Sequence, residues 1–328
     1  MSPSNSQTDQ RRIPLEAIQA ARQRVYAAAL RTPLVRLNYE SSPAEIYLKL
    51  ECLQPIGSFK IRGAYNAISL LSAEQRALGV WTVSAGNAAQ GVALAARLLG
   101  ARCDVLVMET APAAKLEAIQ RLGASYRKAS MDECWSSMIA GKHPAFQGSF
   151  VPPFDDDNFM AGNGTIGLEI LEDLPEVTAV VAGFGGGGLS CGIASAIQAL
   201  KPEVSVYGAE PETAHPLHLS FAAGSPQNFP DWKPSFVDGC GGKSVLPGMW
   251  MLARRLLAGS IVCSLQETRR AMQIVAARNR VVAEGAAACA VAAGLSGKAG
   301  KGKVVCVVSG GNIDLSKFAE LVSLKADS

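Results

Sequence analysis

The longest charge-free run of the chain, from Val177 to Leu200, is long enough to span a bilayer, yet six glycines interrupt it and four of them, Gly185 to Gly188, are consecutive. Four adjacent residues without a Cβ end a helix, because glycine gives up more backbone freedom there than any other residue. The run therefore reads as a strand over 179–182, a loop, and a helix over 189–200. The same alternation recurs along the chain. Residues 80–83, 104–108, 125–127, 204–209 and 304–308 read as short strands, several of them rich in valine. Residues 88–99, 113–122 and 268–280 read as helices, the first two closed by Gly100 and Gly123, and an earlier helix over 14–30 stops before Thr32-Pro33. Such βα alternation implies an α/β fold whose parallel sheet is covered by helices on both faces.

Composition narrows the function classes. A chain of 328 residues has room for two domains and for a core that needs no disulfide or metal staple. With 31 Lys+Arg against 28 Asp+Glu, spread without a basic block, it lacks the field that nonspecific nucleic-acid binding needs, and no membrane association is expected. The opening MSPSNSQTDQRR has no apolar core of a secretory signal, so the expected compartment is the cytoplasm. Eight cysteines without a CxxC pair fit reduced, mostly buried thiols. The three histidines, His143, His215 and His218, are spaced neither for a metal site nor for a nucleophilic triad, and His215 and His218 read as a surface pair.

Four short segments could carry chemistry. Gly57-Ser58-Phe59-Lys60 sets one lysine after a turn and before an apolar helix; desolvation there would lower its pKa and free the amine for Schiff-base chemistry, although most lysines are simply solvated. Ser84-Ala85-Gly86-Asn87 follows a strand and opens a helix, a place for a carboxylate or an ordinary cap. Gly185 to Gly188 lets the backbone close around a phosphate, with the helix that follows supplying about half a positive charge. It has neither the Walker lysine nor the G-x-G-x-x-G spacing. Ser309-Gly310-Gly311-Asn312 ends a strand, at the sheet edge where ligands of open α/β sheets bind.

These pieces, in this order, resemble the fold type II pyridoxal-phosphate enzymes, a tryptophan synthase β-like architecture, and within them the threonine/serine dehydratase and serine racemase group. Pro152-Pro153-Phe154-Asp155, Ala161-Gly162-Asn163-Gly164-Thr165, Asp238-Gly239 and Glu284 extend the match, which runs from about Arg31 to Asp314. The resemblance implies a flexible arm over 1–12, a large cofactor-binding domain over 13–74 and 151–328, a small domain over 75–150, and a homodimer. It implies that Lys60 carries pyridoxal 5'-phosphate covalently, with Phe59 beside the ring, Asn87 on the 3'-oxygen, Glu284 nearby, and Gly185, Gly186, Gly187, Gly188 and Leu189 around the phosphate. Ser309 would face the ring nitrogen; a neutral hydroxyl there makes the ring a weaker electron sink than an aspartate would, which favours expulsion of a β-substituent. Lys60 and Ser84 would be catalytic.

The sequence departs from the pattern at four places. Ala88 stands where a histidine is common, and Ala85 where the racemases carry the serine that protonates the opposite face. Pro216 offers no oxygen ligand to the cation site that Glu210 and the Ala214 carbonyl would otherwise begin, so no metal is expected. Trp135 stands in place of an arginine that grips dicarboxylates. Ser84, Ala85, Asn87, Ala88 and Trp135 would then line the substrate pocket and favour an apolar side chain. The expected reaction is β-elimination of water from a 3-hydroxy-L-amino acid, giving a 2-oxo acid and ammonia; racemisation of serine or a related amino acid is the alternative.

Overall fold

The computed structural model describes residues 11–323. Helix α1 (Leu15–Val25) precedes the antiparallel strands β1 (Leu34–Arg36) and β2 (Glu45–Lys49), and a turn of 3-10 helix leads to α2 (Lys60–Ser69) and α3 (Ala73–Leu78). Strands β3 (Val80–Val83), β4 (Cys103–Met108), β5 (Ser125–Ala129) and β6 (Ser149–Phe150) then alternate with helices α4 (Asn87–Leu98), α5 (Ala113–Arg121) and α6 (Met131–Ala140). These strands form a parallel sheet in the order β5-β4-β3-β6. The remaining chain supplies α7 (Asp157–Asp173), β7 (Val177–Gly183), α8 (Gly188–Leu200), β8 (Ser205–Pro211), α9 (Pro216–Ala223) and α10 (Pro247–Leu256). It ends with β9 (Gly259–Cys263), α11 (Leu265–Asn279), α12 (Gly285–Leu295), β10 (Lys303–Val307) and α13 (Leu315–Ser323). The larger sheet runs β1-β2-β10-β7-β8-β9 and is parallel apart from β1.

Strand β10 lies inside this sheet with Val304 to Val307 fully buried, which is why its sequence is a continuous apolar run rather than an alternation. One core, with Met160, Ile193 and Leu252, packs α7, α8 and α10; a second, with Met272, Ala287 and Val291, packs α11 and α12. Helix α11 begins at Leu265, earlier than expected, because Ser264 and Glu267 close a capping box ahead of it. Helix α1 ends at Val25 instead of running to residue 30: the Leu30 N–H bonds the Gln54 side chain, and the Leu30 carbonyl accepts from Gln54 and Arg62.

Two features of the structure lie at expected boundaries. Residues 1–10 of the expected arm lie outside the described residues, but Arg11 is pinned, its guanidinium bonding Asp155 at 2.6 Å and Asp157 at 2.7 Å. Helix α2, expected in the larger unit, shares its core with the smaller sheet: Ile61, Ala64 and Ile68 cluster with Val80, Ala89 and Val92. A Cβ on Gly91 of α4 would sit 3.0 Å from the Lys60 carbonyl, so the two helices touch backbone to backbone. All eight cysteines are free and seven are buried. Among the described residues no helix is long and apolar enough to cross a membrane.

Candidate active site

The loops after β2, β10 and β7, three neighbouring strands, carry Lys60, Ser309 and the glycine run. The Lys60 turn is laid against the Ser309 loop by backbone bonds. Gly57 takes a left-handed φ of 68°, Ser58 pairs with Gly310, and the Phe59 N–H donates to the Ser309 carbonyl at 3.0 Å. Lys60 thus opens α2 with its Nζ donating to the Pro153 carbonyl, 5.2 Å from the Phe59 ring centre and 5.3 Å from that of Phe159. No carboxylate pairs with it among the described residues. The residue keeps some exposure, but its ammonium is desolvated between the rings, and burial pulls the pKa down to about 8.

The glycine loop leaves β7 and turns through Gly187 at φ 90° into α8. A Cβ on Gly185 would be 2.6 Å from the Gly239 carbonyl, one on Gly188 equally close to the Phe154 carbonyl, and one on Gly186 would enter the Phe154 ring. Only glycine fits, and the first-turn N–H groups of α8 have no intrahelical acceptors to satisfy them. Leu189 is buried behind them. Phe154 follows the proline that holds Lys60, so the cradle and the amine adjoin.

Asn87 begins α4 and ties the smaller sheet's edge to the larger. Its Nδ2 donates to Glu284 Oε1 at 2.9 Å, and its Oδ1 accepts from Asn312 Nδ2 at 2.7 Å. The other Glu284 oxygen takes the Asn312 N–H at 3.1 Å. Burial, with Asp238 close by, pushes the Glu284 carboxyl up to about 8 against those two bonds. The role of Asn312 was not anticipated, although its segment was quoted; neither were those of Pro153 and Phe159. Ser309 is buried, and Ser84 Oγ accepts the Gly86 N–H at 3.1 Å, leaving its own proton to donate. Ala88 is buried, and Ala85 packs at the edge of the smaller core.

Other expected residues take no part in these bonds. Trp135 is half exposed on α6, whose inward positions are Cys134 and Ser137, and none of the bonds joining Lys60, Asn87, Glu284 and Ser309 reaches it. Glu210 is fully buried and accepts from the Leu217 and His218 N–H groups, both at 2.9 Å, and from Ser260 at 2.7 Å. Burial pushes its carboxyl up to about 7 despite these donors. Gly241 crowds the Ala214 carbonyl, a Cβ there lying 2.5 Å from the oxygen. The His215 ring lies 4.2 Å from that of Phe229 and 5.9 Å from that of the exposed His218.

A desolvated amine without a counter-charge, beside a glycine cradle that leaves no room for a Cβ, suits pyridoxal phosphate. Two fully buried polar atoms without a protein partner, Ser58 Oγ and Asn163 Oδ1, flank the same region, one in the lysine turn and one against the first turn of α8.

The family described as pyridoxal-phosphate dependent enzyme matches residues 25–310. An L-threonine ammonia-lyase of Thermotoga maritima is 39% identical over 95% of this chain and 78% of its own length. The catabolic L-threonine dehydratase TdcB of Escherichia coli K12 is 37% identical over 94% of this chain and 96% of its own. Among solved structures, maize serine racemase superposes with a TM-score of 0.86 at 30% identity, covering 94% of this chain and 96% of the racemase. Parallel sheets, glycine cradle, Lys60 turn and near-complete coverage by these relatives agree: the chain belongs to the pyridoxal-phosphate-dependent enzymes, in the fold type II group of threonine dehydratases and serine racemases.

Proposed function

We propose that this protein removes water from a 3-hydroxy-L-amino acid of the threonine or serine type, giving a 2-oxo acid and ammonia. The observation that carries the reading is the Lys60 amine, unpaired and brought to about pKa 8 beside the glycine cradle. Pyridoxal phosphate, when bound, supplies an electron sink for the charge left at the substrate Cα. Gly185 to Gly188 and Leu189 would hold the phosphate through backbone N–H groups, Asn87 the 3'-oxygen, and Ser309 the ring nitrogen with a neutral hydroxyl. Near neutral pH an appreciable share of the desolvated Lys60 is unprotonated, so Nζ takes the Cα proton as general base. Ser84 donates its O–H to the substrate carboxylate together with the N–H groups that open α4.

Ala85 favours elimination over racemisation, since a methyl cannot deliver a proton to the opposite face. The small Ala88 favours an apolar Cβ substituent, and 3-hydroxyaspartate should be a poor substrate because a desolvated, unmatched carboxylate costs several kcal/mol. A homodimer is part of the proposal. Leu30 and Leu53 are half exposed on segments joined by the Leu30–Gln54 bonds, an apolar patch suited to such contact. The test is to supply the cofactor-loaded protein with threonine, serine and their diastereomers and assay ammonia and oxo acid. Oxo acid from L-threonine is the expected result; recovery of the amino acid with inverted configuration and no ammonia would transfer the assignment to racemisation.

A further inference from the structure

The segment Ala161 to Thr165 has no part in the chemistry above, yet it lies in the middle of α7, the helix wedged between α2, which begins with Lys60, and α8, which begins at the glycine cradle. A Cβ on Gly162 would be 2.5 Å from the Arg62 carbonyl on α2, and a Cβ on Gly164 would be 2.9 Å from the Gly192 carbonyl on α8. On a helix turning 100° per residue, Asn163 and Thr165 point to opposite sides, and Glu169 shares the Thr165 side. Thr165 and Glu169 grip Arg62 at 3.1 and 2.6 Å; Asn163 Nδ2 donates to the Gly188 carbonyl at 3.2 Å. Asn163 is fully buried, and its Oδ1 has no protein partner. The Gly188 carbonyl also serves the helix ladder of α8, and turning the amide over would set Oδ1 against that carbonyl oxygen, so the amide is held with Nδ2 toward α8.

We infer that Asn163 is a positioning residue for the phosphate cradle: it anchors the first turn of α8 to α7, and α7, through Arg62, fixes the distance from that cradle to the Lys60 helix. The bond is made to the first residue of α8, the turn whose N–H groups form the cradle, so its loss is felt there first. This inference rests on reading the site as a pyridoxal-phosphate site.

The apoprotein of each variant is titrated with pyridoxal phosphate and, separately, with pyridoxal, which reaches Lys60 but has no phosphate to engage the cradle. Visible absorption reports binding, and thermal melting of the apoproteins reports stability. Asn163→Leu keeps the forked shape and heavy-atom count of the side chain and removes both polar ends. It should weaken pyridoxal phosphate binding roughly tenfold, about the worth of one net hydrogen bond, and leave pyridoxal binding unchanged. Asn163→Ala, which leaves a small cavity, should melt lower and still show the same split between the two ligands. Unchanged affinity for both ligands, equal loss of both, or a lower melting temperature of Asn163→Leu with intact affinity would overturn the inference. Wild-type apoprotein that takes up neither ligand would instead defeat the reading of the site.

Discussion

The first turn of α2 carries two desolvated cations with opposite fates. Lys60 meets two rings and a carbonyl, and burial alone pulls its pKa to about 8. Arg62, two residues on, is held by Glu51 at 2.8 Å and Glu169 at 2.6 Å, and these partners more than offset a burial that would by itself favour the neutral form. Carboxylates divide likewise. Glu284 has amide partners and, among the described residues, no cation bonded to it, and burial pushes it up to about 8. Burial would also raise Glu169, but Arg62 and Lys49 draw it below its usual range. Depth is therefore not what separates these two pairs of groups. The difference is whether the buried charge is given a counter-charge: without one its pKa moves toward neutrality, and with one it is a fixed strut.

The largest effect expected from breaking this contrast is at its reactive end. Lys60→Ala should lower turnover by at least about a thousandfold and abolish the visible cofactor band, without lowering the apoprotein melting temperature, because it removes a desolvated amine rather than a paired charge. Oxo-acid release and absorption check it; retained turnover would break the assignment. At the structural end, Arg62→Met leaves Glu51 and Glu169 buried with one cation fewer. It should cost about 3–5 kcal/mol and roughly ten degrees of melting temperature, and calorimetry that found no loss would show the network to be dispensable.

The pH dependence sharpens the comparison next. The stability that Glu284 contributes is complete below its ordinary value near 4.5 and is lost as pH rises through about 8, whereas that of Glu169 is present above its unfolded value and lost as pH falls through its depressed one. Glu284→Gln should therefore reduce the fall in melting temperature between about pH 6 and about pH 9, by a few degrees. A fall as steep as in the wild type would place the titrating group elsewhere. The smallest expected effect concerns Glu210, another buried carboxylate, whose oxygens are already taken by Leu217, His218 and Ser260. A chelator should leave activity unchanged within error, and loss restored by magnesium or calcium would show that a cation displaces those donors.

Much of the site was legible because its pieces are local. The glycine run and Ser84 to Asn87 are short turns at strand ends and Gly57 to Lys60 is a short turn that opens α2, and their residue types report backbone shape within a few positions. Helix α5, with Leu116 and Ile119 on one buried face, was also legible, and the buried helices α4 and α8 were legible from the strands and glycines that bound them. The structure adds α7 and α12, buried nearly all round, where no 3.6-residue polar face marks the helix. Which way α6 presents Trp135, half exposed beside the buried Cys134, was not legible, since position in a sequence pattern does not say which way a helix presents a side chain.

The sequence by itself determined which turns can hold a phosphate and present an amine, because glycine and strand-end chemistry act between neighbours. Only the tertiary structure decided which charges stay charged. Glu169 reaches Arg62 across 107 residues and Glu284 reaches Asn87 across 197. The sign of a buried group's pKa shift depends on whether such a distant partner arrives, so it is fixed when the helices pack and not before.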